Sequence, residues 1–326
     1  MLEKRLKEWA AARGYGLGVA GTGLVDVVKK KLEERRDTRA IDPRFYAENL
    51  DWFRFLDGVA VSGTMSVVMV AMPSPTHTLR VTAGGRTIDA LIPPTYVRYT
   101  ATFEDVLADM KANALGKGVA AEILKVPLKS LAVHMGLVAY GRNNITYAPG
   151  LGSGHQLCGY IVGAAGGTAD GPAIGVRSEA VMARCSNCRA CIEVCPTGAI
   201  REDRFLILAE RCYTLHSESR RPIPAWVEPP KSVCLIGCMA CQQVCPENKG
   251  RLKTVPSGVE LTAEETEAVI KAGRRLEKGP HGATEGPADL QESFAWRSAK
   301  AKVDPLGMTE DLDVMGRNLD LFLKRR

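Results

Sequence analysis

The stretch CSNCRACIEVCPTGAI, Cys185 to Ile200, is a C-x2-C-x2-C-x3-C-P run, and GCMACQQVCPEN further on repeats its second half at Cys238, Cys241 and Cys245. No other feature limits the fold so tightly. A [4Fe-4S] cube needs four thiolates pointing inward at one small site, and two-residue gaps let a single loop wrap three of its irons. The cysteine before the proline then points away, and in the two-cluster pattern it ligates the neighbouring cube. Cys185, Cys188 and Cys191 with Cys245 therefore make one ligand set. Cys195, Cys238 and Cys241 begin a second, and its vacancy can be filled on spacing by either Cys212 or Cys234. Zinc hooks would leave the third cysteine of each run and the C-P endings without a purpose. Of the 10 cysteines, all but Cys158 lie between Cys185 and Cys245, a clustering that favours metal over a disulfide framework. Cys158, inside HQLCGYIV, reads as a small buried apolar residue.

A ferredoxin would consist of little more than these motifs, whereas this chain has 326 residues, most of them ahead of the first cysteine run. With 45% hydrophobic and 25% charged residues it can bury a real core in two or three units. The net charge of +6 looks scattered, so a nucleic-acid partner is not expected. The apolar run from Val59 to Met72 is interrupted by Ser62, Gly63 and Ser66, and it falls short of the roughly 20 apolar residues of a membrane span. It reads as a buried strand. The opening MLEKRLKEWAAARG sets Leu2, Leu6, Trp9 and Ala10 on one helical face and has no signal-peptide core, so a cytoplasmic protein is expected.

Along the chain, GLGVAG at Gly16 to Gly21 matches G-x-G-x-x-G, but a helix precedes it where a dinucleotide fingerprint requires a strand. A helix cap, a short strand and a second helix are expected there. A central strand follows over Met65 to Met72, then a hairpin of Leu79 to Thr82 and Thr87 to Ile92 turning at Gly84-Gly85. Thr102 to about Leu115 and Pro127 to Met135 carry helical spacing ahead of a glycine-rich passage. Near the end, Thr262 with Glu265 forms a capping box, GPHGATEGPAD is a linker, and Leu312, Met315, Leu319 and Phe322 mark a last helix. The expected division is an N-terminal segment to 57, an α/β domain over 58–175, a two-cluster domain over 176–250 and a helical extension to 326.

The cysteine runs, together with LAVHMGLVAYGRNN (Leu131 to Asn144) and GSGHQLCGYIV (Gly152 to Val162), resemble the epoxyqueuosine reductase and reductive dehalogenase superfamily. The resemblance implies an α+β fold: a nitroreductase-like α/β domain, a bacterial two-[4Fe-4S] ferredoxin-like domain and C-terminal helices. It places Cys212, in its Arg-Cys context, as the fourth ligand of the second cluster. It also implies a cobalamin that takes electrons from the cubes, a ferredoxin- or flavodoxin-type donor, and a small-molecule or corrinoid substrate. Gly136, Tyr140, Gly141, Arg142, Asn143 and Ser153 would line the cofactor pocket, with Tyr140 also a catalytic candidate. Glu122 falls where the superfamily has its proton-donating aspartate, and it serves there if burial raises its pKa; otherwise it is a solvated helix residue. Pro127 is displaced, and Val138-Ala139-Tyr140 stands where Gly-Trp is usual. The alternative function is a cobalamin-free electron carrier that reduces a partner, for example another protein's corrinoid.

Overall fold

The computed structural model describes residues 2–61, 63, 65–163, 179–230, 233–277 and 293–324. It divides the chain into two compact units, each built from separated stretches: 1–74, 100–188 and 202–209 in the first, 75–99, 189–201 and 210–326 in the second. Elements are numbered along the chain.

The first unit is an antiparallel sheet of β1 (Gly16–Gly21), β2 (Met65–Pro73), β8 (His155–Gly163) and β5 (Ala121–Ile123), in the order β1-β2-β8-β5. Both faces of its centre are buried, which explains why β2 reads as an unbroken apolar run. Val67, Met69 and Ala71 face α2 (Gly23–Asp37) and α5 (Leu128–His134), while Val68 and Val70 face α1 (Leu2–Ala12) and α4 (Tyr99–Asn113). Each such side chain, withdrawn fully from water, contributes about 1.5–3 kcal/mol before the entropy cost of ordering it. β8 alternates likewise: Leu157 and Ile161 join the first face, Cys158, Tyr160 and Val162 the second. Cys158 is fully buried, and burial pushes its thiol up to about 12, as expected of an apolar filler. The Tyr160 hydroxyl, also buried, donates to the Phe103 carbonyl at 2.9 Å. GLGVAG is strand β1 itself; a side chain at Gly16 would stand 3.0 Å from Leu137 and one at Gly18 3.4 Å from Met135. The first unit also holds α3 (Pro43–Asn49) and a two-residue ladder of β6 (Ala139–Tyr140) with β7 (Thr146–Tyr147).

The second unit is built on a sheet of order β4-β3-β9. β3 (Thr76–Ala83) and β4 (Arg86–Ile92) form the expected hairpin, with Gly84 and Gly85 both at positive φ as a tight primed turn requires. The sequence grouped this hairpin with the preceding α/β stretch; its other neighbour is β9 (Thr254–Leu261), parallel to β3. α9 (Ala263–Leu276) begins with the expected Thr262–Glu265 capping box and crosses α11 (Leu312–Leu323) closely. A side chain at Gly273 would lie 2.0 Å from the Arg317 backbone nitrogen, and one at Gly316 2.0 Å from the Val269 carbonyl oxygen. The C-terminal helices, with α10 (Phe294–Val303), thus supply much of this unit's core. The linker expected at 279–289 lies outside the described residues. Among the described residues no helix is long and apolar enough to cross a membrane.

Candidate metal centre

The two cysteine runs fold alike. In each, a single helical turn carries the cysteine ahead of the C-P ending: α6 (Ala190–Glu193) holds Cys191 and α8 (Ala240–Gln243) holds Cys241. Each turn closes on the cysteine before proline, whose N–H donates to the carbonyl three residues back, Cys195 to Ile192 at 3.2 Å and Cys245 to Gln242 at 3.3 Å. The turn is short because proline follows at once, and the residue before a proline is driven out of helical geometry.

Cys195, Cys212, Cys238 and Cys241 all belong to the second unit. Cys212 is the N-cap of α7 (Tyr213–Glu218). Burial raises its thiol pKa, and the neighbouring Cys195 raises it further against the lowering pull of Thr214. Burial also raises Cys238, with Cys241, Cys234 and Cys212 adding to the effect. Thiols that oppose each other's ionisation in this way would be relieved by a cation among them, and an all-sulfur donor set fits an iron-sulfur cube. Cys234 stands in the same group, buried and bridged to Leu91, so the group's electrostatics admit it beside Cys212. No disulfide joins the cysteines, and among the described residues no three Cys, His, Asp or Glu side chains converge as on a single metal ion.

Residues that the sequence missed hold these loops. In the second unit, Leu235 and Ile236, just ahead of Cys238, are buried, and Leu235 bonds its backbone to Leu91. Gly237, at φ 69°, lies under Tyr96, whose hydroxyl donates to Glu218. Burial holds both Tyr96 and the Glu218 carboxyl above their ordinary values. Arg317 of α11 is 1% exposed and donates to the carbonyls of His216, Ser217, Ser219 and Arg221, fixing the segment that Cys212 begins. Asn318 beside it donates to Ser217 and Leu235. A helical pattern that reads Leu312, Met315, Leu319 and Phe322 as the inner face gives no sign of a buried arginine.

In the first unit the glycine-rich block takes another form. Gly136, at φ 71°, ends α5: its N–H donates to Val133 and that of Leu137 to Ala132, a Schellman closure. Tyr140 is buried in the core with its ring edge-on to Phe205, and burial, then Glu179, raises its pKa against Arg35. Glu179, 1% exposed at its side chain, pairs with Arg35 at 2.5 Å and accepts from Ser130, a buried polar centre without a sequence motif. Gly141 leaves room for its neighbours, since a side chain there would lie 2.6 Å from both Asn143 and Tyr147. Asn143 donates to the Tyr147 hydroxyl at 3.0 Å. Arg142 donates to the Cys185 carbonyl at 2.7 Å and the Glu202 carbonyl at 3.4 Å. Asn144 donates to Phe205 and accepts from Ile207. Below them His155 bonds Gly152 and Thr146, and burial lowers its pKa, which fits a neutral ring donating from Nδ1. Ser153 is buried nearby in sequence. Glu122 lies apart on the edge strand β5, not on a helix, because the preceding helix ends at Asn113 and Gly118 turns the chain at φ 79°. It accepts a long hydrogen bond from the Ala60 N–H. Tyr140, Arg142 and Asn143 thus each have contacts within the unit.

The charge is less scattered than it first reads. Residues 184–253 hold eleven basic and seven acidic side chains, four of the six excess positive charges.

Residues 184–248 match the 4Fe-4S double cluster binding domain family. An epoxyqueuosine reductase of Synechococcus sp. (strain RCC307) is 32% identical over 127 residues, 37% of this chain and 34% of that protein. The match therefore spans about a third of the curated relative's length. Among solved structures, a selenomethionine-labelled epoxyqueuosine reductase superposes with a TM-score of 0.66 at 17% identity, covering 99% of this chain and 81% of the other. A further epoxyqueuosine reductase, solved with a tRNA-Tyr stem loop, gives 0.58 at 16% identity, covering 98% and 84%. The chain is epoxyqueuosine reductase-like, with a mixed α/β fold of that kind and a domain for two [4Fe-4S] clusters.

Proposed function

We propose that this chain is a cytosolic iron-sulfur reductase that passes low-potential electrons through two [4Fe-4S] clusters to an organic substrate. The observation that carries the reading is the double-cluster match over 184–248 inside a chain with the epoxyqueuosine reductase fold over nearly its whole length. The ligands of the first cluster are Cys185, Cys188, Cys191 and Cys245; those of the second are Cys195, Cys212, Cys238 and Cys241. The first unit, with its two-sided antiparallel sheet, is the nitroreductase-like part. A ferredoxin- or flavodoxin-type protein is the donor. The acceptor is a cobalamin bound with the substrate, which when bound supplies a low-valent nucleophilic cobalt. The substrate class widens from a small molecule to a modified base in RNA, supported by the relative solved with a tRNA stem loop and by the positive charge of 184–253. Glu122 and Tyr140 remain the candidate proton donors.

A second reading has its own support. Tyr140, Arg142 and Asn143 are engaged inside the first unit, which suits a carrier that binds no cobalamin and reduces a partner. Anaerobic purification with added hydroxocobalamin separates the two. Stoichiometric corrinoid beside about eight irons per chain, the content of two cubes, supports the enzyme; the same iron without corrinoid overturns it in favour of the carrier.

A further inference from the structure

We infer that Arg142 positions the first cluster's leading ligand and raises the reduction potential of that cluster alone. The inference rests on Cys185 being a ligand, as proposed above. Arg142 and Cys185 both lie in the first unit, and the guanidinium Nη2 donates to the carbonyl of Cys185 itself. A second arm reaches the carbonyl of Glu202, so the planar fork ties together the chain on either side of the first motif. Asn144 fastens the same far side at Phe205 and Ile207, and Gly141 lets the tight turn that carries both residues form.

Two further observations concern the guanidinium itself. The Nε of Arg142 is buried and has no hydrogen-bond partner among the described residues. Leaving a charged donor unsatisfied costs more than leaving a neutral one, and an anionic iron-sulfur centre with its thiolates offers acceptors. No carboxylate among the described residues pairs with Arg142, and its half-buried position leaves its charge only partly screened by water. One-electron reduction by the donor protein adds one negative charge to a cube and leaves its bonds intact. A fixed cation beside the ligand backbone favours that added charge, and outer-shell groups of this kind tune metal centres.

The test is an anaerobic redox titration, followed by electron paramagnetic resonance, of the full chain and of Arg142→Gln and Arg142→Lys. Arg142→Gln should keep its iron and lower the potential of one cluster by about 59 mV, a tenfold change for a one-electron couple, leaving the other where it was. Arg142→Lys should fall between. Unchanged potentials, or an equal fall in both, overturn the inference while the unaltered protein's iron content still upholds the clusters. If Arg142→Gln loses half its iron, Arg142→Lys decides: full iron with one lowered potential supports the inference, and the same loss overturns it. Failure of the unaltered chain to hold iron would instead strike the reading beneath it.

Discussion

The two cysteine runs have the same letters and the same one-turn helices, yet they are held by unlike means. The start of the first is tied by half-exposed polar groups, Arg142 to Cys185, with Asn144 pinning the chain further along. The second is set in a core: Leu235 and Ile236 are buried, Asn318 bonds beneath them, and Arg317 fixes the α7 segment that carries Cys212. Polar fastening adjusts with little cost. Buried fastening does not, because every group in it loses water and must keep its protein partner.

The largest effect should follow from Arg317→Met. It leaves the carbonyls of His216, Ser217, Ser219 and Arg221 without their donor, that of Ser217 buried and the others partly so. Each buried acceptor left unpaired costs about 1–3 kcal/mol. Urea unfolding followed by circular dichroism should show that loss, with Arg317→Lys recovering little of it because an ammonium cannot span the four acceptors. A loss below about 1 kcal/mol for Arg317→Met would dissolve the contrast between the two runs.

Next come two glycine substitutions, one in each unit. Gly273→Ala meets backbone at 2.0 Å, which only separation of α9 from α11 relieves. Gly141→Ala meets two side chains at 2.6 Å, and these can shift. Overpacking typically costs about 1–3 kcal/mol, with Gly273→Ala at or above the top of that range and Gly141→Ala near the bottom. Equal melting temperatures for the two variants would break the ranking.

The smallest effect concerns acid. Burial would raise the Glu265 carboxyl, but bonds from Lys302, Ser298 and the Thr262 N–H outweigh it and hold the group below the ordinary range. A carboxyl depressed on folding contributes stability above its unfolded pKa, about 4.3, and that contribution is lost as the pH falls through the folded value. Glu265→Gln should therefore lower stability at pH 7 and flatten its decline below about pH 4.3. An unchanged acid limb in the variant would remove Glu265 from the account.

What the sequence made legible is what neighbouring residues decide. The Thr262–Glu265 cap, the Gly84-Gly85 turn, the two-faced burial of β2 and β8 and the paired cysteine turns all rest on contacts a few residues apart. Distant partners were not legible. Nothing local shows that β3 runs beside β9, that Arg317 reaches back to His216, or that Arg142 serves Cys185. Counting back from Gly136 located Glu122 by analogy, and the fold put it on a strand because glycines had already ended the helix before it. Glu179 gave no signal at all, for a lone acidic residue looks solvated until Arg35 and Ser130 surround it.

The account stands on two cubes, the second closed by Cys212. Iron content and electron paramagnetic resonance of the dithionite-reduced protein, compared with Cys212→Ser and Cys234→Ser, test it most directly. Cys212→Ser should lose or convert one cluster while Cys234→Ser keeps both. Loss confined to Cys234→Ser would contradict the ligand set, and a single cluster in the unaltered chain would contradict the account as a whole.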